Sequence, residues 1–505
     1  MAVFGNIEAR FALRAALLVF VTGLLRAQTS DQLALQSQRA KQLMGEGRFA
    51  DAIPLYEQLV KAVPGNSGLI LNLGLAEEMA GHPDRAVPQF EAVLKAQPDN
   101  IPALTSLSTA RLQLNQPRLA IAPLKKLLTL QPANQDARGM LAGSLMASGQ
   151  FNQAAEQYRK LTESNPSDVK AWYGLGKTYE SLASATFDKL TKLNPESAYV
   201  AALVADARVQ RKQYRSAFFF YKQAVDKLPN LRGVHAGLSK VYQETGHSDW
   251  AKEEESKEAA IPSANCASRP AECRFAAGKL VESAQAAAAG TPESLFWATK
   301  AYNELAVGAF RRLGEFPESV ELHAIKADIL RSHEQNLEAA NEWRAALKLA
   351  PGDPQLEREL ATSLFLARDF QSAVPMLQQQ LKANPGAPDL NFMMGESFLR
   401  TEQPDKAVPY LEAAVKGDSR MVTAHASLGM ALATLNRSSE AIPELEMALP
   451  VDDDGSLHYQ LARAYQQAGK PEKARELMAK YQEIRKQNED TKDDLAKDTQ
   501  ITGPQ

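Results

Sequence analysis

Apolar and polar positions alternate along most of the chain with the period of amphipathic helices. In residues 67–100, one apolar face falls at positions 4, 7 and 8 of a 34-residue frame, and a second falls at positions 20, 24 and 27. A spacing of three and four residues places side chains on one side of an α-helix. Gly81 stands between the two faces, at position 15. The pattern therefore predicts two helices that are joined by a turn.

The same frame returns along the chain with a terminal proline at position 32. Consecutive prolines lie 34 residues apart in three series: Pro64, Pro98, Pro132 and Pro166; Pro195 and Pro229; Pro351 and Pro385. Proline ends a helix, and an Asn or Asp two residues later favours a turn or a helix cap. A small residue recurs at position 20: Ala52, Ala86, Ala120, Ala154, Ala217, Ala339, Ala373, Ala407, Ala441 and Ala474. This alanine indicates two antiparallel helices in close approach.

The repeating unit resembles the tetratricopeptide repeat (TPR) family, down to the stretch Trp172-x-x-Leu175-Gly176-x-x-Tyr179. The resemblance implies an all-α fold, a right-handed superhelical solenoid of stacked antiparallel helix pairs. It covers residues 33–260, with about seven units, and residues 320–482, with about five. The units begin at 33, 67, 101, 135, 169, 198, 232, 320, 354, 388, 422 and 455.

Three segments depart from the repeat. The unit at 169 has only 29 residues before the next begins, which predicts a shortened helix in that pair. Residues 261–319 are out of register and predict a disulfide-containing loop followed by about two helices. Residues 483–505 carry mixed charge and predict a frayed helix or tail.

The N-terminal residues have the order of a secretory signal peptide. Arg10 and Arg14 precede an apolar run of 11 residues, and Ala27 follows as a small residue at the expected cleavage position. A bilayer span needs about 20 residues, so the run is too short to cross a membrane. We expect cleavage after Ala27, which removes residues 1–27, and export to the periplasm or the medium. The alternative is an uncleaved N-terminal helix that anchors the chain to the membrane.

Composition narrows the classes of partner. The formal net charge is −3, and no basic stripe appears, which argues against nucleic-acid binding. The two cysteines, Cys266 and Cys273, lie in a proline-flanked loop of a chain expected in an oxidising compartment. Six residues separate them, unlike the two of a redox motif, so we predict a structural disulfide.

The sequence offers only weak candidates for nucleotide-binding or metal-binding motifs. Residues 171–178 fit a phosphate-binding loop on paper, but the repeat places them inside a helix, whose backbone N–H groups cannot cradle phosphate. We therefore expect no nucleotide and no cofactor. Four histidines, His235, His323, His425 and His458, share position 4 and are predicted to serve packing rather than metal binding.

What remains is a binding surface. In the TPR family, positions 2, 5, 6 and 9 of the first helix line a peptide-binding groove. The resemblance assigns six leading candidates to that groove: Lys170, Tyr173, Lys177, Lys41, Lys240 and Asn72. Further candidates in later units are Asp206, Asp328, Arg358, Phe392, Glu396, Tyr459 and Arg463.

The sequence therefore predicts a non-enzymatic, exported interaction scaffold that binds protein or peptide partners. By analogy with TPR proteins of envelope biogenesis, we expect peripheral association with envelope complexes. One alternative is a membrane-anchored factor in envelope or polysaccharide-export assembly. Another is an enzyme whose site lies in residues 261–319, although that segment contains no histidine.

Overall fold

Paired helices follow one another through the chain. The computed structural model of the protein describes residues 31–498 and 500–504, and the predicted signal peptide lies outside them. Among these residues, all regular secondary structure is helical. The chain divides into two compact units, an N-terminal unit that ends at Leu182 and a C-terminal unit that begins at Ala183.

The N-terminal unit contains four helix pairs and the start of a long helix. Its helices are α1 (31–45), α2 (Phe49–Ala62), α3 (Ser67–Met79), α4 (Pro83–Ala96), α5 (Ile101–Gln113), α6 (Pro117–Leu130), α7 (Gln135–Ala147), α8 (Phe151–Ser164) and α9 (Val169–Leu193), the last of which continues past the boundary. We call the first helix of each pair its A helix and the second its B helix.

The C-terminal unit contains further pairs on both sides of the out-of-register segment. Before and within that segment lie α10 (Ala198–Gln210), α11 (Tyr214–Lys227), α12 (Val234–Glu244), α13 (Ser248–Ala260), α14 (Pro270–Ala276), α15 (Leu280–Gln285), the 3-10 turn Ala286–Ala289 and α16 (Pro292–Leu313). After it lie α17 (Val320–Ser332), α18 (Asn336–Leu349), α19 (Pro354–Leu366), α20 (Phe370–Ala383), α21 (Pro388–Arg400), α22 (Pro404–Gly417), α23 (Val422–Thr434), α24 (Ser438–Ala448), the 3-10 turn Leu449–Val451, α25 (Ser456–Gln467) and α26 (Pro471–Asp498).

A residue in the left-handed backbone region ends the A helix of every pair that keeps the repeat register. Glycine fills position 15 with positive φ in five units, as Gly47, Gly81, Gly149, Gly246 and Gly469. Six units use other residues there, also with positive φ: Asn115, Lys212, Glu334, Arg368, Glu402 and Asn436. The next N–H then bonds five residues back, as from Arg48 to the Leu43 carbonyl at 2.9 Å. This is the Schellman geometry, which reverses the chain into the B helix.

The unit at 169 lacks that turn. The sequence predicts a helix pair with one shortened helix, but α9 runs unbroken for 25 residues. Position 15 of this unit is Ala183, which lies in the helix like its neighbours. Alanine has the highest helix propensity of all residues, which favours continuation of the helix through this position. The prediction of a pair is therefore wrong here, and a single long helix replaces it.

Close approach within each pair depends on small side chains. The position-20 alanines Ala86, Ala120 and Ala407 have no exposed surface. Glycine at position 8 serves the same purpose, because a Cβ on Gly74 would lie 2.6 Å from the Phe90 ring, and one on Gly395 would lie 2.6 Å from Leu411. These contacts confirm the predicted antiparallel pairs, and each unit is an all-α solenoid of stacked pairs.

The residues after the repeat prolines cap the following helices, as predicted. The Asn100 and Asn134 side chains accept hydrogen bonds from Ala103 N and Ala137 N, at 3.0 and 2.9 Å. Asp168 accepts from Ala171 N at 2.9 Å in the same way. An N-cap of this kind contributes about 1 kcal/mol to helix stability, so each cap fixes the start of an A helix.

The out-of-register segment contains more helix than the sequence predicts. Two short helices, α14 and α15, precede the 22-residue α16. A disulfide joins Cys266, in the loop before α14, to Cys273 within α14. α16 contacts α14 and α15 and also returns to α10, the A helix of the first pair in this unit.

Candidate functional site

The A helices of the N-terminal unit carry five of the six leading candidates. Lys41 lies on α1, Asn72 on α3, and Lys170, Tyr173 and Lys177 on α9. Lys41 and Lys170 are exposed, whereas the other three are half-buried. We call the side chains at positions 2, 5, 6 and 9 of these helices the A-helix face. The structure brings three candidates together on one helix and distributes the other two over separate helices.

The α9 candidates share one side of the helix at a spacing of three and four residues. The Lys177 Nζ lies 2.6 Å from Glu180 Oε2, so part of its charge is balanced within the helix. Sequence reasoning missed this partner, because many acidic residues lie within helical reach of some lysine. The α9 part of the face is therefore less basic than the sequence predicts.

A second aromatic side chain reaches this site from a B helix. Tyr158 of α8 lies against the backbone of α9 at Gly174, where a Cβ would come within 2.3 Å of its ring. Burial raises the pKa of Tyr158, and the nearby Tyr173 and Asp168 add to that rise. The phenol therefore stays neutral and offers an O–H group beside Tyr173. The signal in the sequence was Gly174 at position 6, where a side chain would exclude the ring.

The neighbouring A helix, α7, leaves open space. A Cβ added to Gly139 would meet nothing within 4 Å, and one on Gly143 would meet only the Tyr158 hydroxyl, at 3.8 Å. These glycines stand at positions 5 and 9, where other units carry side chains. Glycine lets a ligand's backbone approach the helix closely. Between them the half-buried Met140 supplies a flexible apolar contact.

The partly buried carboxyl group of Glu78 lies in the same N-terminal unit. Burial raises the pKa of Glu78 on α3, although its hydrogen bond with Ser106 on α5 acts in the opposite direction. The two residues tie neighbouring A helices together.

The sixth candidate, Lys240, lies on α12 of the C-terminal unit and is exposed. The A helix before it, α10, is covered by α16. Lys300 of α16 forms an ion pair with Asp206 at 3.0 Å, and Phe296 of α16 lies 5.2 Å from the Tyr199 ring. Tyr199 and Asp206 are positions 2 and 9 of their unit. The chain's own helix therefore occupies this part of the expected groove.

Later A helices bind one another through their charges. Arg331 contacts Asp328 at 2.7 Å and Glu359 on the next A helix at 2.5 Å. Arg358 forms an ion pair with Asp389 on the A helix that follows. Of the candidates that the sequence offers for ligand binding, Asp328 is thus paired within its own helix and Arg358 is paired between repeats.

The position-4 histidines have structural partners. His235, His323 and His425 each face a glutamate at position 23 of the same unit, with Nδ1–Oε2 distances of 2.5, 2.7 and 2.5 Å to Glu254, Glu342 and Glu444. His458 pairs with Asp452 instead, at 2.5 Å. This arrangement agrees with the predicted packing role. Among the described residues, no group of three or more His, Cys, Asp or Glu side chains is placed to hold a metal ion.

In five units, position 4 also ties the unit to the one before it. Five side chains at this position donate to the carbonyl at position 32 of the preceding unit: Arg138 to Pro132 at 2.5 Å, Trp172 to Pro166 at 2.9 Å, His235 to Pro229 at 3.1 Å, Asn391 to Pro385 at 2.8 Å and His425 to Ser419 at 3.0 Å. These side chains differ in shape but share an N–H donor. The bond satisfies a carbonyl that the end of the B helix leaves without a helical partner.

The stretch that fits a phosphate-binding loop is helical, as predicted. Residues 171–178 lie within α9, and the Thr178 hydroxyl donates to the Gly174 carbonyl at 2.7 Å. Thr178 is fully buried. The backbone N–H groups of residues 171–178 are engaged in the helix and do not form a loop around a phosphate.

The segment around the disulfide is held by ion pairs. Glu272 is 2% exposed and lies between Arg269 and Arg232, and Arg269 also contacts Glu293 at 2.9 Å. The charged groups of this segment are therefore used to attach α14 to α16 and to the start of α12.

Family models of the tetratricopeptide repeat match most of the helix pairs. One model matches residues 43–110 and 111–177, a second matches 326–388 and 392–456, and a third matches 455–480. The chain belongs to the tetratricopeptide repeat family. TPR arrays generally mediate protein–protein interaction and typically act as scaffolds rather than as enzymes.

Several solved structures are similar to parts of this chain. One is YrrB, described as a TPR protein with an unusual peptide-binding site; it is 24% identical, with a TM-score of 0.30 over 34% of this chain and 90% of that one. MamA from Desulfovibrio magneticus RS-1 is 20% identical, with a TM-score of 0.30 over 34% and 97% of the two chains. A TPR protein from Parabacteroides merdae ATCC 43184 is 13% identical, with a TM-score of 0.30 over 66% and 98%. A comparison with curated proteins finds no match.

None of the helices in the described part of this TPR protein combines the length and apolar character that crossing a membrane requires.

The His235–Glu254 pair predicts a pH-dependent contribution to stability. The hydrogen bond with Glu254 raises the pKa of His235. Burial acts to raise the pKa of Glu254, but hydrogen bonds from His235 and Lys257 outweigh it and leave that pKa lowered. A raised histidine pKa stabilises the fold fully below the unfolded value of about 6.5 and ceases to do so above the folded value.

We therefore expect His235→Gln to lower the free energy of unfolding by about 2 kcal/mol at pH 6 and by clearly less at pH 9. Urea unfolding at both pH values measures the difference. The exposed His82→Gln serves as the control and should change the free energy of unfolding only slightly. An equal loss for His235→Gln at both pH values would contradict a protonated pair.

Proposed function

We propose that this TPR protein is a non-enzymatic scaffold that is exported to the cell envelope and binds extended peptide segments of its partners. The binding surface is the A-helix face of the N-terminal unit. Its centre is the site formed by Gly139 and Gly143 on α7, Tyr158 on α8, and Lys170 and Tyr173 on α9.

One observation carries the proposal: open space on α7 lies beside a cationic and aromatic surface on α9. A peptide backbone can approach the glycines of α7, while its side chains contact the Tyr173 ring. The positive charges of Lys170 and Lys177 favour a peptide with acidic residues, since they attract it over several ångströms. The ligand class is therefore an acidic, partly apolar segment.

The C-terminal unit is a weaker candidate for this role. α16 covers α10, and ion pairs join the later A helices to one another. A ligand would have to displace these contacts before it could bind. The α7 glycines of the N-terminal unit present open space instead, which supports the choice of face.

Reversal of the two lysines tests the binding face. We expect Lys170→Glu/Lys177→Glu to weaken capture of acidic partners by about tenfold at low salt, because attraction becomes repulsion. Helicity should be unchanged. Stability should fall only slightly, because the Lys177→Glu change puts a second carboxylate within one helical turn of Glu180. Quantitative pull-down from envelope extract measures the loss.

The matched control is Lys125→Glu/Lys126→Glu, which reverses two lysines on the B helix α6. This variant should capture partners as the wild type does. Equal capture by all three proteins would show that the α9 lysines do not contribute to binding.

Export is the second part of the proposal. It is supported by the order of charged, apolar and small residues before Ala27 and by the disulfide between Cys266 and Cys273. Disulfides persist in oxidising compartments, so the bond and the signal peptide suggest the same destination. The alternative is a scaffold that an uncleaved N-terminus anchors to the membrane.

The intact mass of protein recovered from the envelope fraction tests both features together. We expect a mass that lacks residues 1–27 and is lower by two hydrogens, with no thiol that alkylates before reduction. A full-length mass in the membrane fraction would favour the anchored alternative. Two alkylatable thiols would contradict the oxidising compartment.

A further inference from the structure

The residues that follow α26 return to the first helices of the C-terminal unit. The Tyr242 hydroxyl on α12 donates to the Thr502 carbonyl at 2.6 Å, although 260 positions separate the two residues. Ile501 packs against the core that α10–α13 form around Tyr242. The contact therefore joins an extended segment to a folded helix pair through a backbone hydrogen bond and an apolar side chain.

Gly503 makes the closest contact. A Cβ at this position would lie 3.2 Å from Cε2 of the Trp250 indole on α13. The indole is fixed in place because it stacks on the His247 ring at 4.2 Å and meets the Tyr242 ring edge-on at 5.5 Å. A Cβ here would require the segment or the indole to shift by a few tenths of an ångström, and a branched side chain would require more, so the contact favours glycine.

A cavity of about 370 Å³ continues from Pro504. Its walls come from the end of α11 and from α12 and α13, and they include Lys222, Leu238 and Ile261. Pro504 is one of its lining residues, so the cavity adjoins the segment 501–504.

A tryptophan at this point of the repeat occurs only in the unit at 232. In the repeat frame Tyr242 is at position 11 and Trp250 is at position 19. Position 19 of the other helix pairs holds Asp51, Arg85, Leu119, Gln153, Ser216, Glu338, Ser372, Lys406, Glu440 and Lys473. Stacking of repeats therefore does not require an aromatic residue here. Besides Tyr242 and His247, this tryptophan contacts the segment 501–504 through Gly503.

We propose that Tyr242, Trp250 and the adjoining cavity form a second peptide-binding site, for extended segments with a Gly-Pro core. The chain's own residues 501–504 are its intramolecular ligand. The site lies on helices α11–α13 and is independent of the proposed A-helix face of the N-terminal unit. A partner segment of the same chemistry competes with residues 501–504 for it.

The probe is a labelled synthetic peptide with the sequence of residues 500–505, capped at both ends, whose binding to full-length protein is followed by fluorescence anisotropy. In wild type the resident segment occupies the site and lowers the apparent affinity. Gly503→Val displaces that segment through the indole contact. We expect this variant to bind the peptide about tenfold more tightly than wild type.

Tyr242→Phe in the Gly503→Val background removes only the hydroxyl and should weaken peptide binding about fivefold, as loss of one hydrogen bond predicts. The control is Gln500→Ala, an exposed residue of the same segment, which should bind as wild type does. Circular dichroism verifies that each variant folds. Absence of binding to Gly503→Val, equal affinity for it and for wild type, or no effect of Tyr242→Phe would overturn the proposal.

Discussion

The rest of this structure depends on the close approach of the two helices in each pair. Alanine at position 20 and, in several units, glycine at position 8 let the helices pack without space between them. A left-handed residue at position 15 makes the tight reversal that this approach needs. Where Ala183 takes that position the reversal fails, and α9 continues as one helix. The boundary between the two units falls in the middle of this helix.

A second constraint joins neighbouring pairs. A donor at position 4 satisfies the carbonyl at position 32 of the preceding unit, whether the donor is the Trp172 indole, the Asn391 amide or the His425 ring. This explains why residues of such different character share one position. It also explains why histidines that might suggest metal chemistry form hydrogen bonds between repeats instead.

The sequence predicts much of the fold because the same local geometry recurs in each repeat and requires the same residue types at the same positions. Caps such as Asn100, the turn at Gly81 and the alanine at position 20 all follow from spacing alone. For the unit at 169 the sequence predicts a pair with one shortened helix, and this prediction is wrong because the chain makes no turn at Ala183 and continues as one helix. Non-glycine residues such as Lys212 in the left-handed region could not be predicted, because the packed pair imposes that conformation on them.

The candidate site was predictable in part. Helical spacing placed Lys170, Tyr173 and Lys177 together, but it could not choose Glu180 as the partner of Lys177 among the acidic residues nearby. The insertion of Tyr158 against Gly174, the cover of α16 over α10, and the return of residues 501–504 to Trp250 are contacts between distant segments. Periodicity carries no signal for such contacts, since they arise only when the helices are assembled.

The repeats differ in whether the surface of their A helices is open or is covered by contacts within the chain. In the C-terminal unit, α16, interhelical ion pairs and residues 501–504 occupy surfaces that TPR proteins can offer to partners. In the N-terminal unit, the glycines of α7 leave open space beside the lysine–tyrosine surface of α9. The central claim is therefore that partners bind to the A helices of the N-terminal unit.

Site-specific photo-crosslinking in living cells tests that claim most directly. A photoreactive residue at Thr109 or Lys170 on the A helices is compared with one at Leu119 or Gln153 on the B helices. The account predicts a common crosslinked partner from Thr109 and Lys170 and none from the B-helix positions. A partner captured from Leu119 and Gln153 alone, or equally from all four positions, would contradict it.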